Sequence, residues 1–131
     1  MVPNAKFGSR AACVMVVEDE SLVRTLLAEE LREAGFRVVE ACDADDALTC
    51  LSAGITVDLI FSDIRMPGKM SGLELERRLR ERDPALPIIL TSGNEEPMRE
   101  AGLARFIAKP YSLTEAVSAV REALAAGHRN G

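Results

Sequence analysis

Short apolar runs alternate with amphipathic segments along this chain, and that rhythm limits the fold more than any other feature. The runs fall at 11–17, 36–41, 57–63, 87–90 and 105–108. Each is short and nearly continuous, the style of strands buried on both faces of a parallel sheet. Between the first two, residues 21–34 place Leu22, Leu26, Leu27, Leu31 and Ala34 on one helical face, and Gly35 supplies the stop. Asp43 caps a helix to about 53, buried through Ala47, Leu48 and Leu51. Ser71-Gly72-Leu73-Glu74 has the form of a capping box and opens a helix carrying Leu75 and Leu79, which Asp83-Pro84 ends. Residues 94–102, with Pro97 inside, have room for only a short helix or a loop. A second capping box, Ser112-Leu113-Thr114-Glu115, opens the last helix. There Leu113, Val117, Val120 and Leu124 repeat at helical spacing, and Gly127 closes it. Strand and helix in strict alternation predict an α/β domain, a doubly wound parallel sheet built from right-handed crossovers. The expected division is a flexible lead-in at 1–10, one domain at 11–127 and a tail at 128–131.

Composition narrows the function class. The formal charge of −5 comes with no Lys/Arg-rich patch, which argues against nucleic acid as a partner. No apolar run approaches the roughly 20 residues of a membrane span, and the amino terminus lacks the pattern of a secretory signal. Cys13, Cys42 and Cys50 show no CxxC spacing, so reduced thiols in a cytoplasmic protein are expected.

The chemistry gathers at strand ends. In a parallel sheet the carboxyl ends of all strands share one edge, where open α/β folds keep their ligands. That edge receives Glu18 and Asp19, then Asp63, Thr91 and Lys109. Carboxylates crowded together repel and raise one another's pKa; a hard divalent cation such as Mg²⁺ relieves them, and Mn²⁺ could substitute. Each residue also has a plain reading. Asp63 could start the turn that Met66-Pro67-Gly68 continues. Glu18-Asp19 could complement the dipole of the first helix, Thr91 could be an ordinary strand threonine, and Lys109 a solvated lysine. Those readings must all hold at once, each at a strand end and in order, and that coincidence favours the joint site.

On these residues the chain resembles the receiver domain of bacterial two-component response regulators, from about 11 to 126. The resemblance is carried by Val-Val-Glu-Asp-Glu at 16–20, Ser-Asp-Ile-Arg-Met-Pro-Gly at 62–68, Gly-Leu-Glu-Leu at 72–75, Leu-Thr-Ser-Gly at 90–93 and Ala-Lys-Pro at 108–110. It implies a flavodoxin-like (βα)5 fold with strand order 2-1-3-4-5 and Asp63 as phosphoacceptor. It further implies Asp19 as a direct Mg²⁺ ligand, Glu18 as an acidic neighbour acting through water, and the Arg65 backbone carbonyl completing the metal site. Thr91 matches the hydroxyl that turns toward the phosphoryl group, Lys109 the lysine that pairs with it, and Phe106 the aromatic switch residue. The Lys109-Pro110 bond resembles one usually cis in this family. The implied donor is a phosphohistidine on a sensor kinase or a histidine phosphotransfer protein. The implied role is a phosphoacceptor rather than an enzyme, signalling by protein contact or serving as a phosphoryl shuttle or sink.

Departures from the commonest family pattern carry their own expectations. Glu18 stands where aspartate is frequent but keeps the charge. The spacing between Met66 and Gly72 is one residue longer than usual, with Ser71 in place of an aspartate, which predicts a local bulge. The segment from Thr91 to Lys109 is shorter than in many receivers and predicts a truncated fourth helix, so dimerisation through that face is doubtful and a monomer or weak dimer is expected. Arg65 and Gly93 occupy positions whose side chains tune access of water to the acyl phosphate. The beginning at Met1 and the short tail favour a free-standing protein without a DNA-binding output domain, with the receiver of a hybrid kinase as the close variant. Three alternatives compete. An aspartyl-phosphate phosphatase resembles an Asp-x-Asp pattern, but Arg65 takes the second place. A nucleotide-binding module needs a glycine-rich loop after strand 1, where Glu18-Asp19 stand. A scaffold that never takes phosphate has no use for the complete acidic, hydroxyl and lysine set.

Overall fold

The computed structural model describes residues 11–65, 70–93 and 105–130. Five strands, β1 (Cys13–Val17), β2 (Arg37–Ala41), β3 (Leu59–Asp63), β4 (Ile88–Ser92) and β5 (Arg105–Ala108), form one parallel sheet in the order β2-β1-β3-β4-β5. Among the described residues the helices are α1 (Ser21–Glu33), α2 (Ala44–Ser52), α3 (Gly72–Arg82) and α4 (Leu113–Asn130). The lead-in at 1–10, the bulge expected after β3 and the shortened helix around Pro97 lie outside the described residues.

Successive strand residues face opposite sides, so one strand feeds two cores. Met15, Val17, Ile60, Ile88 and Leu90 pack against Leu75 and Leu79 of α3 and Ala44 and Ala47 of α2. Val14, Val16, Leu59, Phe61 and Ile89 pack on the other side against Leu27 and Leu31 of α1 and Ala116, Val120 and Ala123 of α4. Both faces of the sheet are thus covered, as the unbroken apolar runs require.

The helix starts are chemically specified. Asp43 accepts the Asp46 N–H at 2.8 Å and caps α2. At α4 the capping box is reciprocal: Ser112 accepts the Glu115 N–H at 3.0 Å, and Glu115 accepts the Ser112 N–H at 2.8 Å. At α3 only half of it forms. Ser71 accepts the Glu74 N–H at 3.2 Å, while the Glu74 carboxylate turns to Arg77 and Arg78.

Three details of the sequence reading are corrected. Leu22 and Leu26 are 68% and 46% exposed, because the buried side of α1 begins only at Leu27. β4 extends two residues past Leu90: Thr91 accepts the Ile64 N–H at 3.0 Å and Ser92 accepts the Lys109 N–H at 2.9 Å, so neighbours on both sides hold it in the ladder. The last helix continues through Gly127 to Asn130, since a glycine weakens a helix by only about 1 kcal/mol and does not stop it alone.

Candidate functional site

Register brings the site residues to one edge. Val17 pairs with Ser62, so Glu18 leaves the sheet beside Asp63. Asp63 pairs with Thr91, Thr91 with Ile107, and Ser92 with Ala108, after which the chain reaches Lys109. One carboxylate oxygen from each of Glu18, Asp19 and Asp63 lies within 4.8 Å of the others. Glu18 and Asp63 are buried and Asp19 is exposed. Lys109 donates from Nζ to Asp63 Oδ2 at 2.8 Å. The Lys109–Pro110 peptide bond is cis.

The charges do not cancel: three carboxylates face one amine. Burial pushes the Glu18 carboxyl above its ordinary range, opposed by the Glu20 N–H that it accepts at 3.0 Å, and the Asp63 charge pushes it further up. At Lys109 burial works against the ammonium, but the hydrogen bond to Asp63 and the charges of Asp63, Glu18 and Asp19 outweigh it and raise the pKa. A compact set of oxygen donors with surplus negative charge is what a hard divalent cation such as Mg²⁺ requires. Glu18, Asp19 and Asp63 therefore fit that ion.

Two clefts flank the Lys109–Asp63 pair. One of about 480 Å³ is lined by Asp63, Arg65, Gly93 and Lys109. The other, about 510 Å³, is more apolar and lies among Glu18, Val23, Leu26, Pro110, Tyr111 and Leu113. Arg65 and Gly93, singled out for tuning, thus border the space beside Asp63. Thr91 is buried next to Asp63 in register. Phe106 does not join the cluster. It pairs with Leu90 and packs with the α2–α3 core, whereas Ile107, the partner of Thr91, packs with the α1–α4 core.

Sequence reasoning missed three residues. Arg24 donates to the Glu18 carbonyl at 2.7 Å, and nothing in its spacing marks it. Tyr111 packs edge-on against Phe61, ring centroids 5.8 Å apart, beneath the site. Its phenol is pushed up to about 12 by burial and then by the charges of Glu18 and Asp63; its place directly after Lys109-Pro110 was the available signal. Gly72, noted only within a motif, starts α3 so close to β3 that a Cβ there would stand 2.2 Å from the Asp63 carbonyl oxygen. Its N–H donates to the Ile64 carbonyl at 2.8 Å.

Fold and site together define a flavodoxin-like α/β domain with an acidic, cation-fitting cluster and a lysine at the carboxyl edge of its sheet. Residues 14–121 match the response regulator receiver domain, and the chain belongs to that family. It is 38% identical over 120 residues to the C4-dicarboxylate transport transcriptional regulatory protein DctD of Rhizobium meliloti, covering 88% of this chain and 26% of DctD. The crystal structure of a response regulator receiver protein from Sinorhizobium medicae superposes with a TM-score of 0.82 at 27% identity, covering 89% of this chain and 97% of that one. The receiver domain of the hybrid histidine kinase CckA is 31% identical with a TM-score of 0.72, over 86% of this chain and 98% of that one. The chain spans 24 to 46% of the length of the first curated relatives it matches. Among the described residues no helix is long and apolar enough to cross a membrane.

Proposed function

We propose that this receiver takes a phosphoryl group onto the Asp63 carboxylate from a phosphohistidine of a sensor kinase or phosphotransfer protein. The observation that carries the reading is the 2.8 Å Lys109–Asp63 pair set within the Glu18–Asp19–Asp63 cluster. A carboxylate oxygen of Asp63 attacks phosphorus in line, the P–N bond breaks, and the imidazole leaves with its electron pair. Lys109, already beside Asp63, meets the negative charge carried by the transferred oxygens. Glu18, Asp19, Asp63 and the Arg65 carbonyl would hold Mg²⁺, which supplies further neutralisation of that charge when bound. Buried Thr91 donates its hydroxyl to the new phosphoryl group. As Thr91 turns toward the phosphoryl group, Phe106 on β5 moves into the space vacated, which converts charge at this edge into a changed surface at β5.

Arg65 and Gly93 line the approach to Asp63 and would govern the water that hydrolyses the acyl phosphate. Exposed Leu26, which lines a cleft with Val23, Pro110 and Tyr111, offers a protein donor an apolar rim beside the acidic cluster. The phosphorylated domain then signals by protein contact or passes the group on. As the test, acetyl phosphate and Mg²⁺ add one phosphoryl mass to the wild type and none to Asp63→Asn. Equal labelling of both proteins would overturn the assignment.

A further inference from the structure

The peptide joining Glu18 to Asp19 is gripped from outside the acidic cluster. Arg24, in α1, donates from Nη1 to the Glu18 carbonyl at 2.7 Å. Its Nε lies 3.4 Å from Glu40 Oε1 on β2, and the other Glu40 oxygen pairs with Arg32 at 3.3 Å. The Glu18 N–H is fixed as well, donating to the Ala41 carbonyl at 3.0 Å. Asp19 has no such anchor: among the described residues its exposed carboxylate accepts no hydrogen bond. Its aim is therefore set by its own backbone, and the peptide preceding it is the one that Arg24 holds.

We propose that Arg24, steadied by Glu40, is a positioning residue for the divalent cation, aiming the Asp19 carboxylate at the point where Glu18 and Asp63 converge. The inference rests on the acidic cluster being a Mg²⁺ site. Its sign separates it from simple electrostatics. Arg24 is a cation, and a cation near a metal site weakens metal binding by repulsion. Charge alone predicts tighter Mg²⁺ binding once Arg24 is removed; positioning predicts weaker binding. Groups that orient metal ligands from behind are worth roughly 10–100-fold in affinity.

Calorimetric titration of Mg²⁺ into the full chain decides between them, with melting in EDTA as the control for folding. Arg24→Met, which keeps the apolar stem, is expected to weaken binding roughly tenfold. Arg24→Lys is expected to fall between Arg24→Met and the wild type, since an amine reaches the carbonyl but cannot also hold Glu40. Wild-type affinity or tighter in Arg24→Met overturns the proposal. Should Arg24→Met fail to fold, Arg24→Lys decides: affinity equal to the wild type overturns, and weaker affinity supports. Asp19→Asn separates the two levels. If it binds Mg²⁺ as the wild type does, the metal-site reading itself falls. If it loses binding while Arg24→Met keeps it, only the role of Arg24 falls.

Discussion

Two aspartates bracket β3, and their surroundings differ completely. Asp58, just before the strand, exchanges two hydrogen bonds with Cys13 at the start of β1. Its N–H donates to the Cys13 carbonyl at 2.7 Å, and its Oδ2 accepts the Cys13 N–H at 2.7 Å. Asp63, at the far end, is itself buried but is grouped with two more carboxylates and a lysine beside an open cleft. The residue type and the strand are shared. What separates a fastener from a reactive group is the edge: at the carboxyl end of a parallel sheet, loops from several strands converge and leave charge uncompensated.

If that contrast is right, substitutions at the two ends should fail differently. The largest effect after loss of Asp63 itself is expected at Gly72, where a Cβ would meet the Asp63 carbonyl oxygen at 2.2 Å and the Ile64 Cα at 2.8 Å. Both are backbone atoms, so α3 must move away from β3. Gly72→Ala should cost about 2–3 kcal/mol in urea unfolding and impair labelling of Asp63. Unchanged stability would mean that α3 is free to shift and does not fix this end.

Next in size is the titration of Tyr111. The folded chain holds the phenol proton up to about 12, whereas an unfolded chain releases it near 10. The stability this contributes is present below pH about 10 and is lost as pH rises toward the folded value. Tyr111 is the one tyrosine and the chain has no tryptophan, so phenolate absorbance follows this site alone. A midpoint near 10 in the folded protein would contradict the burial of this phenol and, after it, the negative charge of Glu18 and Asp63 beside it.

At the opposite end, Asp58→Ala strands the buried Cys13 N–H. A loss of about 1–2 kcal/mol is expected, with phosphoryl acceptance intact. Impaired labelling would erase the distinction between the two aspartates. Smallest is Arg65→Ala, expected to alter the dephosphorylation rate by a few-fold at unchanged stability, since Arg65 is exposed and lines the cleft beside Asp63. An identical decay rate would remove its shielding role.

The pattern of these elements was legible in the sequence to different depths. Strand runs and capping residues act locally, so β1 to β5 and the caps at Asp43, Ser71 and Ser112 could be read directly. Strand direction brought Glu18, Asp19, Asp63 and Lys109 to one edge, and the strand order that makes them neighbours came from the family resemblance. What escaped depends on where a helix lies over the sheet. The face chosen for α1 counted leucines, yet its first turns carry Leu22 and Leu26 at the surface, where the sheet offers no cover. In α4 the deepest positions include Ala116 and Ala123, small residues that allow close approach and that a count of large side chains overlooks. Arg24 was invisible for a related reason: its target is a backbone carbonyl, which every residue possesses.

The most direct measurement is to trap the modified residue. The protein is phosphorylated with acetyl phosphate in Mg²⁺, reduced with borohydride, digested and sequenced by mass spectrometry. Reduction of an aspartyl phosphate leaves homoserine, expected here at position 63. Homoserine at position 58, a stable phosphate on Ser62, or no modified peptide would contradict it.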